Sequence, residues 1–450
     1  MTSNSGSRTL AQAQRHILHP WDHMQDRANA GRLVVARAEG IHLISDDGRR
    51  LLDGPGGMWC VNIGHGRAEM AEAAAAQMHE LSYASPFHTA SGPSAELAER
   101  LTELSPPSLN TVHFTTGGSS AVDTALRTVH YVNNRTGRPG KKMILAREKG
   151  YHGSTYLAAS VSGKERDKSS FDAATDLVHF LPDVAAHRRP EGVSEEEWCD
   201  AKVADLEWAI DRIGADRIGG FIAEPVLSSG GVLIPPKGYH QRTLDLCREH
   251  DIFYISDEVV TAFGRLGHWF ASQEVFGIEP DFITCAKGLT SGYLPLGACL
   301  IHDRVMDRIQ GDDHDVLYHN GYTYSGHPVS CAVALKNIEI FEREGILEHV
   351  RQVTPYFQER LADLARHSLV GNARGAGLIG CLEGTPESSL QNQRDLGARL
   401  DEVCEEMGLI VRPLINMAVF SPPLIITKAQ IDEMMDILDA ALTRVSAEFN

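Results

Sequence analysis

Short apolar, β-branched runs recur along the middle of the chain. They are Thr111-Val112-His113-Phe114, Lys142-Met143-Ile144-Leu145, Leu177-Val178-His179-Phe180, Gly220-Phe221-Ile222-Ala223, Ile252-Phe253-Tyr254-Ile255, Phe282-Ile283-Thr284-Cys285-Ala286 and the stretch 296–301. Each has the length and residue types of a strand buried on both faces. Between them lie stretches of helical period, such as Val203, Leu206, Ile210 and Ile213 on one face. Strands alternating with amphipathic helices predict βαβ units and a mostly parallel seven-stranded sheet flanked by helices, an α/β fold.

The flanks read differently. Residues 1–60 predict an arm and a small curled sheet from Leu33-Val34-Val35, Ile41-His42-Leu43-Ile44 and Leu51-Leu52-Asp53, with Asp46-Asp47-Gly48 as turn chemistry. The glycine-rich loop Gly54-Pro55-Gly56-Gly57-Met58-Trp59 lets a ligand approach the backbone, and Trp59 is a core plug or a pocket wall. Helices are predicted over 67–80 and 93–104. The polar stretch 182–198, with Glu195-Glu196-Glu197, reads as an inserted loop leading into a helix. After about 330 come a long helix, the segment Gly375-Ala376-Gly377-Leu378-Ile379-Gly380 and the strand-like Leu409-Ile410-Val411-Arg412. A last helix carries the stripe Ile431, Met434, Leu438, Leu442 and Val445. The expected organisation is a large domain over 61–329, with a smaller α+β domain built from 1–60 and 330–450.

Composition narrows the function classes. With 450 residues and 42% apolar content the chain can bury a large core. A net charge of −18 without a basic cluster speaks against nucleic acid. No apolar run approaches the roughly 20 residues of a membrane span, and the polar residues 1–8 lack an apolar signal core, so a cytoplasmic protein is expected. The eight cysteines are scattered with no Cys-x-x-Cys pair, and none of the 21 histidines falls in an H-E-x-x-H arrangement. Reduced thiols and no metal site are the expectation.

The candidate chemistry sits at strand ends. The run 252–255 leads into Asp257 and Glu258, and the next run ends on Lys287 and Gly288. Two adjacent parallel strands bring such an acid and amine to one carboxyl-end rim, where open α/β sheets bind ligands. An amine suits Schiff-base chemistry and an acid suits a pyridinium nitrogen; pyridoxal phosphate needs both, although an ordinary salt bridge fits the pair equally well. Phe114-Thr115-Thr116-Gly117-Gly118-Ser119-Ser120 passes from strand to a glycine pair and hydroxyls opening a helix, an anion site if a phosphate is near and otherwise a turn with an N-cap. Tyr151-His152-Gly153 follows a strand, so Tyr151 either stacks on a flat heterocycle or packs half-exposed. Ala223-Glu224-Pro225 ends a strand on an acid that Pro225 keeps extended. Tyr322-Thr323-Tyr324-Ser325-Gly326-His327-Pro328 is a hydroxyl-rich loop ahead of a helix.

In this order and spacing, with Asp257-Glu258-Val259, Gly264-Arg265, Ala286-Lys287-Gly288 and Arg412, the segments are specific when taken together. The chain resembles the class III aminotransferases, fold type I pyridoxal 5′-phosphate enzymes that include the ω-amine:pyruvate aminotransferases, over about 17–446. The resemblance implies Lys287 as the amine that joins the cofactor and shuttles the proton. Asp257 would pair with the pyridine nitrogen, and Glu224 would support that end of the site as a third catalytic group. Val259 and Tyr151 would cover the two ring faces, with His152 beside them. Gly117, Gly118 and Ser119 would hold the phosphate, joined by Tyr322 and by Thr323 of a neighbouring subunit. Trp59, Tyr151 and Tyr322 would wall the substrate pocket, and Arg412 would clamp an oxo-acid carboxylate. The implied partners are a small amine donor, an oxo-acid acceptor and a second copy of the chain, as homodimer or dimer of dimers.

Three departures refine that picture. Gly117-Gly118-Ser119-Ser120-Ala121-Val122 stands where members commonly read Ser-Gly-Ser-Glu-Ala-Asn. Val260 and Ser229 stand where 2-oxoglutarate-using relatives tend to have Gln and Glu, which leaves Arg412 without its acid and favours pyruvate. Leu414-Ile415-Asn416 is bulkier than usual and crowds the arginine. The resulting expectation is an ω-aminotransferase passing nitrogen from a primary amine or ω-amino acid, such as β-alanine, taurine, a diamine or an aryl-alkylamine, to pyruvate by a ping-pong mechanism. A pyridoxal-phosphate aminomutase or decarboxylating aminotransferase is the alternative. A nucleotide-binding oxidoreductase is disfavoured because no Gly-x-Gly-x-x-Gly follows a first strand, and intact Lys287 and Asp257 speak against a non-catalytic binding module.

Overall fold

The structure, a computed structural model, describes residues 3–25, 31–310, 317–385 and 390–449. All seven runs form strands of one sheet: β1 (Thr111–Thr115), β2 (Met143–Arg147), β3 (Val178–Leu181), β4 (Ile218–Ala223), β5 (Phe253–Asp257), β6 (Phe282–Cys285) and β7 (Gly297–Ile301), in the spatial order β1-β7-β6-β5-β4-β2-β3. The pairs β2–β3, β2–β4, β4–β5 and β5–β6 are parallel, whereas β7 runs antiparallel to both β6 and β1. The connections explain the exception. Parallel neighbours need a crossover of a dozen or more residues, usually a helix, while β6 returns as β7 through the loop 286–296, which holds only a 3₁₀ turn.

Side chains of β5 alternate between two cores. Phe253 and Ile255 pack with α1 (Gly118–Arg135) on one face, through Val122, Leu126 and Val129. Tyr254 points to the other face, among Phe221, Leu206 and Ile210 of the helix Glu195–Ile213. The sheet is therefore covered on both sides, as its uninterrupted apolar strands require. The polar insert resolves into a single 3₁₀ turn, Ala186–Arg188, followed by that helix. A capping box opens it: Glu197 N–H donates to Ser194 Oγ at 3.2 Å and Ser194 N–H to Glu197 Oε2 at 2.7 Å. The three consecutive glutamates occupy its first turn, where the helix dipole favours them.

Both chain ends build the smaller sheets. Val35–Glu39, His42–Ser45 and Arg50–Asp53 form an antiparallel ribbon, which Leu409–Ile410 completes in parallel against Arg50–Asp53. Val370–Ala376, Ile379–Gly384, Met417–Phe420 and Arg412–Leu414 make a second, antiparallel sheet in that order. The arm contains a helix, Ser3–His16, that the apolar pattern did not predict. Its residues from Arg8 onward are mostly exposed, so it forms on the helix propensity of Leu, Ala, Gln and Arg without an apolar stripe to announce it.

Two buried arginines tie the large sheet region to the C-terminal part. Arg265 donates from Nη1 to the carbonyls of Leu378 (2.9 Å) and Pro422 (2.6 Å) and from Nη2 to Asn62 Oδ1 (3.1 Å). Burial pushes its pKa down to about 9. Arg374 donates from Nε to the carbonyls of Gly231 (2.8 Å) and Val232 (3.2 Å). Between them α2 (Pro328–Arg343) lies on the helices Ala68–Glu80 and Gly92–Leu104, with Phe341 buried against Trp269 at 5.3 Å between ring centroids. Among the described residues no helix is long and apolar enough to cross a membrane. The eight cysteines are free thiols, all buried except half-buried Cys60. Because Phe341 fills the seam between these layers, Phe341→Ala is expected to cost about 3–5 kcal/mol, seen as a lower midpoint of denaturant unfolding.

Candidate active site

The carboxyl ends of β5 and β6 set the site. Asp257 pairs in register with Thr284, and Lys287 lies three residues beyond that partner. Asp257 is buried, and its carboxylate is fixed from three sides. His152 Nδ1 donates to Oδ2 at 2.6 Å, while Val259 N–H (3.1 Å) and Thr284 Oγ1 (3.2 Å) donate to Oδ1. Three donors use part of the four lone-pair sites of a carboxylate, which leaves room for one more cationic N–H at this acid.

Lys287 occupies the left-handed region at φ 42°, a strained place for a lysine. The turn Lys287–Leu289 is held there from α2: Asn337 Nδ2 donates to the carbonyls of Gly288 (2.9 Å) and Leu289 (3.1 Å), and its Oδ1 accepts from Ser291 Oγ at 2.7 Å. A Cβ at Gly288 would lie 2.4 Å from Asn62 Nδ2, so only glycine lets the turn close. The Lys287 amine has no hydrogen-bond acceptor among the described residues and lies 5.4 Å from the centroid of the Trp59 ring. Burial pushes its pKa below the ordinary lysine value; Asp257 opposes this and Arg412 adds to it.

Glycines cradle the opposite end. Gly118 and Ser119 open α1, where the first-turn N–H groups have no intrahelical partner. A Cβ at Gly118 would meet Val259 Cγ1 at 2.9 Å, and one at Gly297 would meet the Gly117 carbonyl at 2.5 Å. Gly153, at φ 134°, lies so close to Ser119 that a Cβ there would be 2.5 Å from Ser119 Oγ, and Ser154 N–H donates to that hydroxyl at 3.1 Å. The Tyr151-His152-Gly153 turn is thereby clamped onto the helix start.

One cavity of about 1110 Å³ joins these parts. Its walls include Gly118, Ser119, Tyr151, Asp257, Val259 and Lys287, with Trp59 and Arg412. An unpartnered amine, a braced carboxylate with spare acceptor capacity and an amide-lined cradle therefore face one volume. That donor set fits pyridoxal 5′-phosphate.

Three further expected residues make contacts of their own. Glu224 is buried, but both of its oxygens are taken by backbone: Oε1 accepts from Tyr151 N–H at 2.9 Å and Oε2 from Ser228 N–H at 3.0 Å. It lines the cavity and fixes the Tyr151 turn through these two bonds. Burial raises its pKa, with His152 lowering and Asp257 raising it further. Tyr322 does not wall the cavity; its hydroxyl donates to the Ser120 carbonyl at 3.1 Å, on the first turn of α1. Thr323 is exposed, and its carbonyl accepts from Tyr83 Oη at 3.0 Å.

Other cavity residues escaped the sequence reading. Trp21, at φ 57°, tilts against Tyr151 with 6.1 Å between centroids. The only signal for it was its place directly after the Ile17-Leu18-His19-Pro20 segment. Lys164 Nζ donates to the Ser229 carbonyl (2.6 Å) and Oγ (2.8 Å). Nothing around a lone lysine after Ser162-Gly163 marks it. Arg412 Nε is buried without an acceptor among the described residues, and burial lowers the guanidinium pKa.

Comparison with known proteins agrees with this geometry. The family model "Aminotransferase class-III" matches residues 24–442. The chain is 36% identical over 443 residues to the putrescine–pyruvate aminotransferase of Pseudomonas aeruginosa, covering 97% of this chain and 96% of that one. It is 37% identical over 419 residues to the mitochondrial gamma-aminobutyrate transaminase 1 of Oryza sativa subsp. indica, covering 91% and 81%. It superposes on a thermostable (S)-enantioselective omega-transaminase from Thermomicrobium roseum with a TM-score of 0.93, at 37% identity and 98% coverage of both chains.

The lowered pKa of Lys287 has a measurable consequence. Only the neutral amine attacks an aldehyde, so covalent capture of pyridoxal 5′-phosphate by the apoprotein speeds up as pH rises through the lysine pKa. The midpoint of that rise, followed by visible absorbance, is expected below the ordinary value of 10.5. Capture is expected to vanish in Lys287→Ala; a midpoint at or above the ordinary value contradicts the burial argument.

Proposed function

Since the chain belongs to the class III aminotransferases, enzymes of fold type I that depend on pyridoxal 5′-phosphate, we propose that it is an ω-aminotransferase moving nitrogen from a primary amine or ω-amino acid to pyruvate. The single observation that carries the choice of acceptor is Arg412. It lies on the wall of the cavity that holds Lys287, and no carboxylate among the described residues pairs with it. A partly buried guanidinium without a resident acid is a ready clamp for the carboxylate of a small oxo acid. The position where an acid could have occupied it is Ser229, whose oxygens are engaged by Lys164.

When bound, pyridoxal 5′-phosphate supplies an aldehyde and an electron-accepting ring. The chain's own groups do the rest in this reading. Lys287 holds and moves the proton at the reacting carbon, and its strained turn keeps the amine over the cavity. Asp257, braced by His152, keeps the ring nitrogen protonated. Val259 and Tyr151 press the two ring faces, with Glu224 fixing the backbone of Tyr151. Gly117, Gly118 and Ser119 bind phosphate through the start of α1. Trp59 forms the substrate wall beside the amine. One pocket serving donor and acceptor in turn gives ping-pong kinetics.

The exposure of Thr323 supports a homodimer as the catalytic unit, with Thr323 of one subunit reaching the phosphate of the other. Phe87, Tyr83 and Tyr324 are large exposed side chains around the same loop, an apolar patch that a second copy would cover. A cytoplasmic setting goes with the free thiols. The experiment that tests the whole reading is a panel of amine donors assayed with pyruvate and with 2-oxoglutarate. Pyruvate is expected to be the better acceptor, and Arg412→Ala is expected to lower kcat/KM for pyruvate about ten- to hundredfold, the scale of a lost charge-assisted hydrogen bond. The reactivity of an uncharged amine should fall far less. A preference for 2-oxoglutarate, or equal losses for both substrates, would overturn the assignment.

A further inference from the structure

The cavity contains a second amine that the roles above leave unused. Lys164 stands at the start of the short helix Glu165–Lys168 and lines the same volume as Arg412 and Tyr151. Its Nζ donates to the carbonyl and hydroxyl of Ser229, and it lies 5.5 Å from the centroid of the Tyr151 ring. An ammonium has three N–H donors. Two are engaged by neutral oxygens, and no carboxylate among the described residues forms an ion pair with it. Burial weakens it to about 8; Glu224 and Asp167 partly offset this, and Arg166 and Arg412 add to it.

A cation held beside a cavity without a counter-ion is costly unless a ligand supplies the charge. Pinning Ser229 alone does not require a charged group, since a neutral donor would satisfy the same two oxygens. Arg412 lies within Coulombic reach of both Lys287 and Lys164. Besides the reacting amine the cavity wall carries Lys164, Arg412 and Arg166, of which Arg166 is paired with Asp167. Leu414 and Ile415, the latter at φ 60°, line the same cavity as Arg412.

We propose that Lys164 is a specificity-determining residue that anchors an anionic group at the end of the amine donor remote from its nitrogen. The donor class is then ω-amino carboxylates and their sulfonate counterparts. Arg412 keeps the carboxylate attached to the reacting carbon in the oxo-acid half-reaction. With a separate anchor for each half-reaction, Arg412 need not swing past Leu414 and Ile415. The inference rests on the aminotransferase reading and deepens it.

The test compares 4-aminobutyrate with butylamine, each with pyruvate, on the holoenzyme. The wild type should favour 4-aminobutyrate in kcat/KM by tenfold or more. In Lys164→Met that ratio should fall at least tenfold, mainly through KM, and it should recover in Lys164→Arg. Binding of valerate, which has no amine, should weaken about tenfold in Lys164→Met by calorimetry. A wild type that prefers butylamine or a diamine overturns the proposal without any variant. So do equal losses for both donors in Lys164→Met, which would mark Lys164 as a structural support of Ser229, and so does an unaltered ratio. Failure of the wild type to convert any amine would sink the aminotransferase reading instead, and valerate binding would still decide whether Lys164 anchors an anion.

Discussion

A braced carboxylate beside a strained lysine turn is the constraint on which the rest of the site depends. Asp257 is held from three sides by His152, Thr284 and the Val259 amide. Lys287 can stand over the cavity only because Asn337 and the absence of a side chain at Gly288 stabilise a left-handed lysine. Parallel pairing of β5 with β6 brings the two to one rim.

Around that pair the chain distributes tasks by distance. Several residues of the cavity wall are positioned by other residues of the same wall. Glu224 grips the backbone of Tyr151; Gly153 locks the same turn to Ser119; Val259 fits beneath Gly118 with no space for a Cβ. The positive end of α1 and the acid on β5 thus face one volume, as a ligand carrying both a phosphate and a basic ring nitrogen requires.

Much of this was legible from residue order. The seven strands were readable because strands covered on both faces must be uninterrupted apolar runs, and Asp257 and Lys287 because each terminates such a run. Glycine pairs and tyrosines at strand exits marked the cradle. The less legible features depend on contacts distant in sequence. That Glu224 spends both oxygens on backbone amides, that Tyr322 turns toward Ser120, and that Lys164 meets Ser229 all follow from how loops fold over one another. Lone polar residues in loops carry no periodicity. The helix Ser3–His16 was missed for a related reason: propensity without an apolar face gives no pattern to read.

The small ribbon near the start of the chain is finished by Leu409–Ile410, which pairs with Leu52 and Asp53. Contacts between residues so far apart in sequence form late, because chain entropy must be lost before any pairing rewards it. The seven-stranded sheet draws only on the middle of the chain and can assemble while the C-terminal part is still being made. The N-terminal ribbon, by contrast, must wait with an unpaired edge until nearly the whole polypeptide has emerged from the ribosome. Arg412 lies just beyond the strand that closes that edge, so this part of the cavity wall belongs to the last part of the molecule to take shape during synthesis.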